Sequence, residues 1–210
     1  ACDVRPLLRR RVDDASAAAT IACGTAERER RFLAMLDAKV WCHSSSPYRA
    51  LLEAAGCVRD DVERLVQRDG LDDALRTLEG AGVRIGYEEL KGRADAVRGS
   101  RTFRFRAEDF DDPASSPGLA LSSSGTRGPR QRVQIDAEHI AELAPSWAVF
   151  LAEHEDGIAP LVFWTPGHAG VAARHLACAV AGRRYSRWFV SEDMTAPVDR
   201  AYGSFVHALS

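Results

Sequence analysis

Between Leu119 and Val133 the sequence LALSSSGTRGPRQRV packs Ser122, Ser123, Ser124 and Thr126 against two glycines, Gly125 and Gly128, and three arginines, Arg127, Arg130 and Arg132. Several hydroxyl donors, a backbone free to turn successive N–H groups toward one point, and surrounding positive charge are what a polyphosphate requires. Glycine supplies the backbone freedom, because only glycine enters left-handed and other strained conformations without a steric cost. The short apolar stretch LALS enters this run and RVQI leaves it, both of strand length. Ligand-binding loops of open α/β sheets lie at such strand ends. The competing reading is a Ser/Gly linker, the ordinary fate of such composition. The run is not a Walker A loop, which needs a lysine directly before its hydroxyl residue.

The elements around it set the frame. AERERRFLAMLDAKVWC, residues 26–42, places Phe32, Leu33, Leu36, Val40 and Trp41 at helical spacing behind a charged first turn. SSSPYRALLEAAG offers Ser46 as N-cap, Pro47 at the first helical position and Gly56 as terminator. DGLDDALRTLEGAG repeats that grammar between Asp69 and Gly82. After Arg98 the composition shifts: TFRFR reads as a strand, and EDFDDPASSPG, acidic with Pro113, Pro117 and Gly118, as a loop or seam. Farther on, Asp136 is a candidate N-cap for a helix that meets Pro145, where a kink is expected. PLVFWT, HAGVAARHLACAVAGR and RYSRWFVS form a strand-helix-strand unit, and PVDRAYGSFVHAL a last helix. The expected organisation is a leader over 1–25, a helical segment over 26–98, and an α/β portion over 99–210 that carries the loop within a single incomplete domain. The fold class is α/β, with the helical segment on an open, mostly parallel sheet.

Composition narrows the function classes. Acids and bases nearly balance, at a formal net charge of −2, so no field draws the chain to nucleic acid. No apolar run reaches the length of a membrane span. The five cysteines include no CxxC pair, which points to a reduced, cytoplasmic setting without a structural metal. His139, His154 and His175 lack metal-ligand spacing and read as surface or helix-packing residues, and Trp147, Phe150, Phe163, Trp164, Trp188 and Phe189 read as core. A catalytic cysteine has no flanking signature in its favour.

SSSGTRGPRQ resembles the phosphate loop of the adenylate-forming synthetase superfamily, whose pattern is roughly [ST]SGTTGxPK. Ser123, Ser124, Gly125, Thr126 and Gly128 fall on that pattern. Arg127 stands for the second Thr, Pro129 comes one place early, and Arg130 and Gln131 occupy the Pro and Lys positions. SPYRALLEAAG, RDDVERL and IGYEELKGR are similar to the N-terminal region of phenylacetate-CoA-ligase-like enzymes and acyl-protein synthetases, so the resemblance spans roughly residues 31–191.

That resemblance implies a large-domain fragment that binds ATP with Mg2+ through Ser123, Ser124, Gly125, Thr126, Arg127 and Gly128. The reaction implied is activation of a fatty or aryl carboxylic acid to an acyl-adenylate, followed by transfer to a thiol, either CoA or a protein cysteine. It makes His168 a candidate for the acyl pocket. The superfamily's later motifs, an aromatic-x-x-[ST]-E segment, a ribose-binding Asp and a lid Lys, do not occur before Ser210. The chain is therefore expected to be the N-terminal portion of such an enzyme and inactive alone. The alternative is a non-catalytic remnant or interaction domain that keeps the scaffold.

Overall fold

The computed structural model describes residues 8–10, 12–112, 119–122, 132–154, 161–164, 169–183 and 185–189. The chain divides into two compact units, one continuous over 24–114 and one assembled from 1–23 and 115–210. The later boundary falls inside the acidic, proline-containing run. The earlier one falls within helix α1 (Asp14–Ala26).

The continuous unit is built from short helices. α2 (Arg28–Leu36) runs into a π-helical turn, Asp37–Trp41, closed by the Cys42 N–H on the Asp37 carbonyl at 3.1 Å. The expected single helix over 26–42 is thus interrupted: its last turn is wider, and it carries Val40 and Trp41 onto the face begun by Phe32 and Leu36. α3 (Pro47–Ala54) starts with Ser46 in extended conformation and Pro47 at the first position, and Gly56 at φ +74° ends it. Ser46 holds the N-cap position without a side-chain capping bond; the proline ring, which needs no partner for a missing N–H, does the terminating there.

α4 (Arg59–Asp69) is capped by the Asp61 carboxylate, which accepts the Val58 N–H at 2.9 Å. α5 (Leu71–Gly80) follows after Gly70 at φ +77°, so the glycine and not Asp69 holds the N-cap position; Asp69 instead accepts two bonds from Arg68. Leu36, Val40, Leu52, Val62 and Leu78, one or two from each helix, form the shared core.

Beyond α5 the chain is fastened by one arginine. β1 (Ala96–Arg98) and β2 (Arg101–Phe103) pair antiparallel around a two-residue turn, with Gly99 at φ +59°. Arg98 points back from this hairpin. It meets both carboxylate oxygens of Glu89 at 2.9 and 2.8 Å, and donates to the Gly82 carbonyl at 2.8 Å and to the Arg84 carbonyl. Glu89 lies on the short helix α6 (Tyr87–Leu90) and also accepts the Gly86 N–H at 2.7 Å. The Arg98 hydrogen bonds, followed by that backbone N–H, hold the Glu89 carboxyl below its ordinary range. Both side chains are largely buried, 14% and 16% exposed. Aromatic edges continue the seam: Phe103 stacks on Phe105, Phe105 meets Phe110 of the 3-10 turn Ala107–Phe110, and Phe110 meets Tyr48 of α3.

In the second unit, β3 (Leu119–Ser122) pairs antiparallel with β4 (Arg132–Ile135). α7 (Ala137–His154) begins at Asp136, whose carboxylate accepts the His139 N–H at 2.6 Å, and it continues helical through Pro145. β5 (Leu161–Trp164), α8 (Ala169–Val180) and β6 (Tyr185–Phe189) make the expected strand-helix-strand unit, with the two strands parallel. α7 and α8 bury Ile140, Ala144, Ala173, Leu176, Ala177 and Val180 against each other. α1, expected as a leader, joins this unit: Ala17 is fully buried with Ala148 and Ala181, and the Val12 N–H bonds the Val180 carbonyl at 3.1 Å.

Helix and strand are therefore mixed, with helix predominating. Among the described residues the strands form three separate two-stranded ladders, two of them antiparallel, in place of the open, mostly parallel sheet expected. The expected last helix over 197–209 lies outside the described residues. Among the described residues no helix is long and apolar enough to cross a membrane.

Removing the Arg98 guanidinium strands a nearly buried carboxylate and two carbonyls. Arg98→Ala is expected to lower the stability of the 24–114 unit by about 2–3 kcal/mol. Arg98→Lys, a point donor that cannot span both carboxylate oxygens, recovers only part of that. Urea unfolding, with hydrogen exchange over residues 78–98 to localise the change, measures both.

Candidate functional site

The residues singled out for phosphate binding, Ser123, Ser124, Gly125, Thr126, Arg127 and Gly128, lie outside the described residues, as do Arg130 and the pocket candidate His168. The structure does fix their flanks. β3 and β4 pair without a register shift, Leu119 with Ile135, Ala120 with Gln134, Leu121 with Val133 and Ser122 with Arg132. Residues 123–131 thus leave the ladder at Ser122 and re-enter it at the directly opposite position, Arg132. A segment linking independent units has no reason to be returned to its starting point. Ser122 and Arg132 are register partners, so the pair that closes the ladder bounds the connection on both sides. β4 then passes through Asp136 into α7, which anchors this end of the hairpin to the helical core.

The other strand-to-helix connection, from Trp164 of β5 to Ala169 of α8, contains His168. Behind it stands a histidine that composition gives little reason to single out. His175 is 1% exposed on α8, and its ring meets Phe163 of β5 edge to face at a centroid distance of 4.5 Å. Burial first, and the neighbouring Arg174 second, lower its pKa to about 4. It is therefore neutral at physiological pH and occupies a packing position, the second of the two roles expected for it. Arg174 itself lies over the Trp147 ring, 5.8 Å from its centroid.

The aromatic residues read as core divide. Phe163 is buried and Trp147 packs against the α7–α8 core, but Phe150, Trp164 and Phe189 are exposed, and the Trp188 side chain lies outside the described residues. An apolar run of strand length announces a strand, not which of its faces is covered. Here the alternation along β5 turns Phe163 inward and Val162 and Trp164 outward.

Two of the described cysteines are set apart from nucleophilic chemistry by their surroundings. Cys178 is fully buried. The Cys57 thiol is pushed above its ordinary value by burial and then by the nearby Asp61, the wrong direction for a nucleophile at neutral pH. Among the described residues no three His, Cys, Asp or Glu side chains stand close enough to hold a metal ion.

One concavity escapes the sequence. In the continuous unit the C-terminal ends of α3 and α5 and the β1–β2 turn enclose a cleft of about 600 Å3, floored by Ala54, Gly80 and Gly82 and edged by Glu79, Arg84 and Arg98. It forms because small residues end two helices that are 25 positions apart in the chain by the spacing of Ala55 and Gly80, a juxtaposition no local pattern encodes. Its one acid and two arginines, one of them engaged with Glu89, do not make a catalytic constellation.

No protein-family model, no curated protein and no solved structure matches this chain.

The lowered pKa of His175 has a stability consequence. Between pH 6.5, where the unfolded imidazole takes up its proton, and about 4, where the folded one does, the unfolded state binds more protons. Stability is full above the unfolded value and falls as pH drops through this window, by up to about 3 kcal/mol. His175→Leu should flatten the pH dependence of the thermal midpoint between pH 6.5 and 4; an unchanged slope would assign the dependence to other groups.

Proposed function

We propose that this chain carries the triphosphate-binding loop of an enzyme that activates a carboxylic acid with ATP. Ser123, Ser124, Gly125, Thr126, Arg127 and Gly128 hold the β and γ phosphates with Mg2+. The observation that supports the reading is the unshifted β3–β4 register, which returns residues 123–131 to the point they left and makes the Ser/Gly run a strand-bounded connection. Hydroxyls, glycine N–H groups and arginines at such a connection are suited to an anion of several charges.

In the reaction proposed, a carboxylate oxygen of a fatty or aryl acid attacks the α-phosphorus, the bond from that phosphorus to the bridging oxygen breaks, and pyrophosphate departs. The loop's donors lower the energy of charge building on the departing group, so its role is positioning and electrostatics with no covalent step. A thiol, of CoA or of a protein cysteine, then takes the acyl group and releases AMP. His168, between β5 and α8, is the candidate for lining the acyl pocket.

The substitutions at the loop exit, Arg130 and Gln131 where the resembled pattern has Pro and Lys, favour a second reading. In it the scaffold is kept as an interaction domain without the chemistry. Equilibrium binding of Mg-ATP separates the two. The enzyme reading expects saturable binding that weakens about tenfold or more in Gly125→Val/Thr126→Val, through lost backbone freedom and a lost hydroxyl, and that survives in Thr126→Ser. A folded chain that binds no Mg-ATP, or binds it equally in all three forms, removes the phosphate role from this loop.

A further inference from the structure

The parallel pair β5–β6 is covered on one face only. Phe163 turns toward His175 of α8, whereas Val162, Trp164 and Phe189 are 46%, 81% and 51% exposed. The register sets Trp164 beside Phe189 and Val162 beside Arg187, so the outward face is an aromatic pair followed by an aliphatic residue and a cation. Parallel strands linked by a crossover helix occur with both faces covered, because they are apolar on both. The covering layer on this second face is what the described residues lack.

The chain itself supplies a candidate. Twenty-one residues follow Phe189, beginning where β6 leaves the sheet. After Pro197 their larger apolar residues fall at Val198, Tyr202, Phe205, Val206 and Leu209. The last four follow the i, i+3, i+4, i+7 spacing that makes one helical stripe, with Ser204 opposite it. Arg200 lies off the stripe, and Asp199 borders it beside Val206. A stripe of that width matches a two-stranded face, and the connection from Phe189 to Pro197 is of ordinary length for a strand-to-helix turn.

We infer that residues 197–209 dock their Tyr202, Phe205, Val206 and Leu209 stripe across Val162, Trp164 and Phe189 and form the second covering layer of β5–β6. The inference is independent of the ATP reading, since it concerns the opposite end of the unit's sequence from the Ser/Gly run and involves none of its residues. Docking makes the C-terminal segment part of the unit's folding, and a change in its stripe is felt at the β5–β6 face.

The test places a reporter thiol at the face by Val162→Cys in the full chain. Its maleimide labelling rate is read by peptide mapping, with the fully buried Cys178 of α8 as the internal gauge of folding. The expected result is slow labelling of the reporter, accelerated about tenfold or more by Phe205→Asp/Val206→Asp and unaltered by Ser204→Asp, while Cys178 stays unlabelled throughout. Equal reporter rates in all three proteins overturn the inference. So does protection that depends on protein concentration, which assigns the face to a second copy of the chain. If the double variant also exposes Cys178, Leu209→Ala decides: faster labelling of the reporter with Cys178 still protected supports the docking, and an unchanged rate overturns it.

Discussion

Alanine at the contact between α7 and α8 sets how the discontinuous unit is assembled. Ala144, Ala173 and Ala177 let the two helices approach closely, and Ile140, Leu176 and Val180 fill the remaining space. β4 feeds directly into α7, and β5 and β6 flank α8 in the chain, so each strand pair of this unit is joined to one of the two helices in contact. Ala17 of α1 repeats the device against Ala148 and Ala181. Enlarging any of these side chains would force off-rotamer packing in a site with no slack, and the disturbance would pass to the hairpin that bounds the Ser/Gly run.

The continuous unit is held differently. Its core is larger-residued, Leu36, Val40, Leu52, Val62 and Leu78, and its peripheral hairpin is attached by a polar clamp. Arg98 satisfies carbonyls left over after α5 ends and a carboxylate from α6 at once. Guanidinium suits this because its donors lie in one plane at fixed angles. The aromatic contacts from Phe103 through Phe105 and Phe110 to Tyr48 complete the attachment. Exposed ion pairs elsewhere in the unit, such as Arg49 with Glu53 and Lys39 with Asp112, contribute little beside it.

Local signals were legible where a single residue decides backbone geometry. Pro47 and Gly56 bound α3, Asp136 opens α7, and the strand-helix-strand order of β5, α8 and β6 follows from the apolar pattern. The π turn was not legible, because the four-residue spacing of Leu36 and Val40 fits an α turn equally well. Nor was Gly70 as the start of α5, since Asp69 is the better cap by type and is instead drawn off by Arg68. Pairing of Arg98 with Glu89 and the cleft between two helix ends are tertiary facts, carried by no window of sequence. Of the candidate site, the flanking strands were readable from LALS and RVQI, but their antiparallel, unshifted pairing was not. The outward aromatic face of β5–β6 was misjudged because burial of a strand face depends on what lies across from it.

The order of the two units along the chain bears on how the protein is made. Residues 24–114 carry everything their unit needs, and its contacts join helices that follow one another, so this part can fold as soon as it has emerged. α1's Ala17 must wait until Ala148 and Ala181 have been synthesised. During that interval the N-terminal segment is without its native neighbours, and the closure that finally joins it to the rest spans the whole intervening unit. Loop-closure entropy grows only slowly with loop length, so this late contact costs little more than a closure over a shorter span. Synthesis from the N-terminus thus favours a sequence of events in which the continuous unit is complete before the discontinuous one can be.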